Sequence, residues 1–216
     1  RFKRLLSPKP KALGSGASDS LLLRELDESE LLRLFDALRD AAWLARFPVQ
    51  WRRLIFVLIP KKVLSDRVDK KREIGLADQL FKVFESVFIK PAHDLVESRL
   101  AKAQYGNIKG GGCGEAAAGV QCEKDCAFML RHPLVMSMKD LEKFFPRSQH
   151  EVIHILEARI GIPADVLRVT VSLFEEMVGA FESVHGLTEW TPFPTVFQGG
   201  TTSPSRCRLL MNSLAE

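Results

Sequence analysis

In Val196-Phe197-Gln198-Gly199-Gly200-Thr201-Thr202-Ser203-Pro204, a Gln-Gly turn is joined to a Ser-Pro helix start at a fixed spacing. Its two glycines can adopt backbone angles that are closed to other residues, which would permit a tight loop. Thr202 or Ser203 is suited to cap a helix, and Pro204 suits the first helical turn. The pattern indicates a nucleotide-binding loop, although a strand, a loop and a capped helix also form an ordinary structural arrangement.

The composition is that of a globular protein. With 216 residues, of which 46% are hydrophobic, the chain is large enough for one domain or two subdomains. Its longest apolar run, 54–60, has the length of a strand, whereas about 18 residues are needed to span a bilayer. We therefore expect no membrane segment. The sequence begins with Arg1 and shows no signal-peptide pattern, so we interpret it as an internal fragment.

The cysteines are few and irregularly spaced: Cys113, Cys122, Cys126 and Cys207. This spacing argues against a disulfide framework and predicts an intracellular, reducing compartment, either nucleus or cytoplasm. Two of them lie four residues apart, which suits half of a zinc site, but no His or Cys pair at finger spacing completes it. We expect no zinc.

Basic residues are concentrated between Arg52 and Arg72, although the net charge of the whole chain is only +4. Asp66 and Asp69 are the acids within this stretch. Such a cluster attracts phosphates, either of a nucleic-acid backbone or of a nucleotide. A solvated charged loop has the same composition, so both interpretations stay open.

The hydrophobic pattern predicts an α+β chain. Residues 1–18 are interpreted as a flexible basic arm, and 19–48 as a helical region that ends before Pro48. Strands are expected at 53–59, 73–75 and 134–139, followed by a hairpin that turns at His185-Gly186. Helices are expected over 77–100 with a kink at Pro91, and over 115–131, 149–159, 163–177 and from 202 onward.

Read in order, several segments resemble the reverse transcriptases of non-LTR retrotransposons and group II introns. The first two are Val57-Leu58-Ile59-Pro60-Lys61-Lys62, which looks like a fingers strand, and Arg72-Glu73-Ile74-Gly75-Leu76, which resembles the family's Arg-Pro-Ile-Ser-Leu. Asp140-Leu141-Glu142-Lys143-Phe144-Phe145 resembles the first palm motif, and Gln198-Gly199 with Ser203-Pro204 matches Gln-Gly-x-x-x-Ser-Pro. The chain departs from the family at Glu73, where proline is usual, and at Pro146, where a second aspartate is usual.

The resemblance implies a right-hand polymerase fold with mixed helices and a small antiparallel sheet. Fingers would occupy 49–132 and part of the palm 133–216, with the thumb and the last palm hairpin missing. The family's aromatic-x-Asp-Asp motif does not occur in the sequence. We therefore expect these 216 residues alone to lack polymerase activity.

The function implied by the resemblance is RNA-directed DNA synthesis by a two-magnesium mechanism. Asp140 is the expected catalytic residue and metal ligand, assisted by the Leu141 carbonyl. The expected nucleotide-binding residues are Lys61, Lys62, Arg72, Phe145, Gln198 and Gly199. The expected partners are an RNA or DNA template with its primer and deoxynucleoside triphosphates, and the oligomeric state is left open.

Each of these assignments has a structural alternative. Asp140 is also suited to cap the turn that follows its strand, and the basic residues suit a solvated loop. Phe145, which the resemblance makes the gate against a ribose 2′-hydroxyl, is equally suited to core packing. At the level of function, the alternative is a decayed, non-catalytic remnant that acts at most as a nucleic-acid-binding module.

Overall fold

A computed structural model describes residues 14, 20–61, 70–100, 104–106, 111–137, 141 and 143–215. Over these residues the chain is a mixed α+β protein in which helices surround one small sheet. Within the same residues, no helix combines the length and the apolar character that crossing a bilayer requires.

The sheet is built around strand β1, Arg53–Pro60. Strand β2, Lys71–Leu76, pairs antiparallel with one edge of β1, so that Phe56 faces Gly75. Strand β3, Val178–Ser183, pairs with the other edge. Two short strands, β4 (Gly186–Leu187) and β5 (Thr191–Pro192), then pair with β3.

The expected antiparallel sheet is wrong, because β1 and β3 run parallel. The connection between these two strands is long and its described part is largely helical, which allows the second strand to enter the sheet in the same direction. The turn that was expected around His185-Gly186 is confirmed, since β3 pairs there with β4. The strand expected near 189–196 is wrong in its extent, because β4 and β5 each have two residues. The sheet is therefore mixed.

The helices occupy most of the remaining described chain. They are α1 (Ser20–Glu25), α2 (Glu28–Leu44), α3 (Gln79–Phe84), α4 (Lys90–Val96), α5 (Cys113–Leu130), α6 (Phe144–Arg147), α7 (His150–Ile160), α8 (Ala164–Phe174) and α9 (Ser203–Ala215). Single 3-10 turns lie at Val49–Arg52 and Glu97–Arg99. Asp27 caps α2 in a capping box with Glu30, and Asp78 caps α3 through the amides of Leu80 and Phe81.

The expected helix over 77–100 is confirmed but interrupted. A π-helical turn, Glu85–Ile89, separates α3 from α4 and ends two residues before Pro91. The chain stays helical through Pro91, which lies at the start of α4, so the missing amide hydrogen of the proline falls where the π-helical turn changes to the α-helix.

The central strand predicted at 134–139 is wrong over the part that is described. Residues 134–137 have no regular structure, and Val135 is 93% exposed. Both edges of β1 are already paired with β2 and β3, so this apolar run has no place beside the central strand. Residues 138–140 lie outside the described chain.

The main core packs against the inner face of the sheet. Its buried members are Leu38, Trp51, Leu54, Phe56, Ala77, Phe81, Phe84, Ile89, Val169, Leu173, Phe174, Met177 and Phe197. They come from the helical region before the sheet, from β1, from α3 and α8, and from the segment that leads into α9. The core therefore fixes the position of the Gln198 loop relative to β1 and β2.

Candidate functional site

The loop after Phe197 packs directly on β2. The amide nitrogen of Gly75 donates a hydrogen bond to the Gln198 carbonyl oxygen at 2.8 Å. Gly199 has a φ of +124°, and a Cβ added there would lie 2.5 Å from the carbonyl oxygen of Gly75. Because only glycine tolerates both the angle and the contact, the sequence at Gly199 allows this close approach.

This packing creates a pocket between β2, the Gln198 loop and α6. The cavity measures about 170 Å³ and is lined by Phe56, Lys61, Lys71, Arg72, Glu73, Lys143, Phe144, Phe145, Pro146, Phe193, Val196, Phe197 and Gln198. Four of the predicted nucleotide-binding residues are among them: Lys61, Arg72, Phe145 and Gln198. These four are far apart in the sequence, and the fold brings them to one place.

The charge of the lining is strongly positive. It contains four basic side chains, Lys61, Lys71, Arg72 and Lys143, and one acidic side chain, Glu73. Within the described part of the chain, none of the four basic residues forms an ion pair. This excess of positive charge in the described lining favours an anionic ligand such as a phosphate group.

Phe145 lies at the wall of the pocket and also packs on a second, smaller core. Its ring is 6.2 Å from that of Phe144 in an edge-to-face arrangement. Both rings pack against the buried cluster of Ile153, Val196 and Cys207. The position of Phe145 therefore fits both roles: the gate against a ribose 2′-hydroxyl that the resemblance implies, and ordinary core packing.

The predicted metal centre lies largely outside the described chain. Asp140 and Lys62 both fall there, and Leu141 is 44% exposed. Among the residues that the structure describes, no group of three or more His, Cys, Asp or Glu side chains is arranged to hold a metal ion. The described lining of the pocket has one carboxylate, Glu73, which does not make a two-ion centre.

A larger cavity of about 690 Å³ lies between α7, α8 and β5. None of the predicted nucleotide-binding residues lines it. Its charged lining residues are Glu151, Glu175 and Glu176, with no Lys or Arg among the described residues of the wall. Since this charge repels phosphates, the smaller basic pocket is the better candidate site.

Behind the Gln198 loop, Arg206 forms a buried ionic network that sequence analysis missed. Its Nε donates to Glu157 Oε1 at 2.8 Å, and its guanidinium lies 4.3 Å from the centre of the Phe174 ring. His93 and His154 lie 3.2 and 3.0 Å from the Glu157 carboxylate. Glu157, a charged residue on the apolar face of α7, was the one signal in the sequence. It did not identify the network, because its partner Arg206 lies on a separate helix.

The network shifts the pKa values of its members. Burial would raise the pKa of the Glu157 carboxyl, but Arg206, with help from His154 and His93, holds it well below the usual range. Arg206 Nη1 lies 3.0 Å from His150 Nδ1. Burial and the charge of Arg206 lower the pKa of His150 to about 2, so this imidazole stays neutral and accepts that hydrogen bond.

Comparison with known proteins identifies no relative from which a function could be inferred. No protein-family model matches the chain, and no curated protein sequence matches it significantly. A function for this chain therefore has to be inferred from its motifs and from the chemistry of the basic pocket.

Proposed function

We propose that the chain is part of a reverse transcriptase domain of the non-LTR retrotransposon or group II intron type, with a right-hand polymerase fold. In this proposal the basic pocket binds the phosphates of an incoming deoxynucleoside triphosphate. The observation that carries the proposal is the hydrogen bond from Gly75 to Gln198 at 2.8 Å. This hydrogen bond joins two segments that resemble the family, 72–76 and 196–204. They are far apart in the sequence and meet at the wall of one pocket.

The pocket residues then take distinct roles. Arg72 binds phosphate oxygens through its forked guanidinium, and Lys61 adds a compact positive charge beside it. Gln198 contacts the sugar or the template side, and Phe145 closes the pocket next to the sugar. Gly199 acts through its backbone by allowing the loop to approach β2 closely.

The size of the pocket limits what it holds. A cavity of about 170 Å³ is smaller than the roughly 300–1,000 Å³ that encloses a drug-sized ligand. We infer that it takes the phosphates and part of the sugar, while the base lies outside it against a template. This arrangement is consistent with a substrate that is selected by pairing to a template strand with its primer.

In this proposal Asp140 is the residue that would bind magnesium. The resemblance implies a two-ion mechanism, but Glu73 is the single carboxylate in the described lining of the pocket. We therefore assign no step to a metal and derive only phosphate binding from the described residues.

The second candidate function is a nucleic-acid-binding module without catalysis. It is favoured by the four basic side chains that lack an ion-pair partner within the described chain. A module of this kind binds a primer-template duplex with a strong dependence on salt, and it responds neither to magnesium nor to Asp140→Asn.

The two functions are separated by measuring the affinity for deoxythymidine triphosphate with and without magnesium. Arg72→Ala is the test variant, and Arg33→Ala is its control because it removes an equal charge from the exposed face of α2. We expect Arg72→Ala to weaken binding by about tenfold or more, Arg33→Ala to leave it unchanged, and Asp140→Asn to remove the response to magnesium. Equal affinities for the two arginine variants would contradict the proposed site.

A further inference from the structure

Glu85 is a carboxylate placed in the interior of the protein. It is the first residue of the π-helical turn Glu85–Ile89, and its side chain is fully buried. Burying an acidic group is unfavourable unless hydrogen bonds compensate it. π-Helical turns are rare and frequently lie at functional positions.

Within the described chain, the three hydrogen bonds that the Glu85 carboxylate accepts come from the Gln198 loop where it enters α9. Its Oε2 accepts from the Thr201 amide at 2.9 Å, and its Oε1 accepts from the Thr202 amide at 3.4 Å and from the Thr202 hydroxyl at 2.5 Å. Burial raises the pKa of the Glu85 carboxyl, whereas these hydrogen bonds act in the opposite direction. The start of α9 also favours a negative charge, because its amides carry the positive end of the helix dipole.

The loop is therefore held at two points. At Gln198 its backbone is bonded to Gly75 of β2, and at Thr201 and Thr202 it is bonded to Glu85. The two residues between these points are glycines, which have no side chain to hold the loop by themselves. The Thr201 hydroxyl also donates to the Lys82 carbonyl oxygen at 3.4 Å. Without Glu85, the conformation that directs Gln198 at the pocket loses three of the four hydrogen bonds that Thr201 and Thr202 donate within the described chain.

We propose that Glu85 is a positioning residue for the pocket, which holds the Gln198 loop in its binding conformation through the Thr201 and Thr202 hydrogen bonds. This inference rests on the proposed function where it concerns nucleotide affinity. Its structural part, the restraint of the loop, does not depend on that function. Glu85 itself is too deeply buried to touch a ligand.

The test combines three variants with two measurements. Glu85→Gln replaces one carboxylate oxygen by an NH2 group, which cannot accept a hydrogen bond. Thr202→Val removes the hydroxyl at nearly constant volume, and Thr202→Ser is the matched control that keeps it. For each folded variant, the amide chemical shifts of Gln198, Thr201 and Thr202 are recorded by NMR, and the affinity for deoxythymidine triphosphate is measured.

We expect Glu85→Gln and Thr202→Val to move all three amide resonances and to weaken nucleotide binding by about tenfold. Thr202→Ser should stay within about twofold of the original chain. A residue that serves only stability would lower the unfolding midpoint but leave the affinity of the folded protein unchanged. If Glu85→Gln does not fold, the comparison of Thr202→Val with Thr202→Ser decides the question.

Unchanged Gln198 resonances in both disruptive variants would overturn the inference. So would an unchanged nucleotide affinity in variants that are fully folded. If the original chain binds no nucleotide, the proposed function fails, and the amide resonances alone then confirm or overturn the positioning role of Glu85.

Discussion

Replacing Gly199 by alanine tests how tightly the Gln198 loop must approach β2. Gly186→Ala provides a matched control, because both glycines have a φ in the left-handed half of the map, +124° and +106°. A Cβ at Gly186 would meet no atom within 4 Å, whereas one at Gly199 would lie 2.5 Å from the Gly75 carbonyl oxygen. The difference between the two variants isolates the contact from the backbone strain.

The expected magnitudes follow from these two terms. Backbone strain costs about 1–3 kcal/mol in either variant. In Gly199→Ala the new methyl group meets backbone, which cannot turn aside as a side chain would. Overpacking of this kind costs about 1–3 kcal/mol, and the lost hydrogen bond between Gly75 and Gln198 costs about 1 kcal/mol. Gly199→Ala should therefore be more destabilising than Gly186→Ala by about 2–4 kcal/mol.

Urea unfolding of the two variants and of the original chain measures this difference. A similar slope of unfolding free energy against urea concentration in all three would show that the unfolded states are comparable. If the two alanine variants are destabilised equally, to within about 0.5 kcal/mol, the close approach of Gly199 to β2 is not a constraint and the reasoning is refuted.

Three further predictions concern the pocket and the network behind it. Gln198→Ala should weaken binding of deoxythymidine triphosphate about tenfold and leave the unfolding midpoint unchanged, because the backbone hydrogen bond to β2 is retained; an unchanged affinity would remove Gln198 from the site. Glu157→Gln should destabilise the fold by about 3–5 kcal/mol in urea unfolding at pH 7, because it leaves Arg206 buried without a carboxylate; a cost below about 1 kcal/mol would show that this pair is unimportant. His150, with its pKa lowered from 6.5 to about 2, contributes stability that is fully present above pH 6.5. Below that pH the free energy of unfolding decreases by about 1.4 kcal/mol per pH unit as the pH falls toward 4, because the unfolded chain takes up a proton at His150 that the folded chain does not. His150→Asn should remove this dependence from unfolding free energies measured between pH 7 and 4.

Local features of the fold were accessible from the sequence. The branched and aromatic residues of 53–59 predicted β1, and the helical spacing of apolar residues predicted α2, α7 and α8. The bounds agree to within a few residues, because each of these elements buries a regular apolar face and the helices also satisfy their own backbone hydrogen bonds. The Gln-Gly turn and the helix after it follow from the conformations that glycine, threonine and proline favour.

Long-range pairing was not accessible in the same way. The run at 134–137 has the composition of a strand, yet it is exposed and pairs with none of the described strands. Nothing in the sequence of β3 specifies that it pairs parallel with β1. Which strand fills an edge depends on the packing of the whole chain.

The candidate site was partly predictable. Lys61, Arg72, Phe145 and Gln198 were selected one by one on motif resemblance, and the structure brings all four to one pocket. Glu85 and Arg206 were missed, because the groups that their side chains contact lie more than thirty residues away in the sequence. A buried charge on an otherwise apolar helix face is a signal for such networks, but it does not identify the partner.

The most direct test of the account is to add deoxythymidine triphosphate and magnesium to the labelled chain and to map the perturbed backbone amides by NMR. The account predicts that the largest changes lie at Arg72, Phe145 and Gln198, around the basic pocket. Changes centred instead on the acidic cavity at His154 and Glu176, or the absence of any change at millimolar nucleotide, would contradict it.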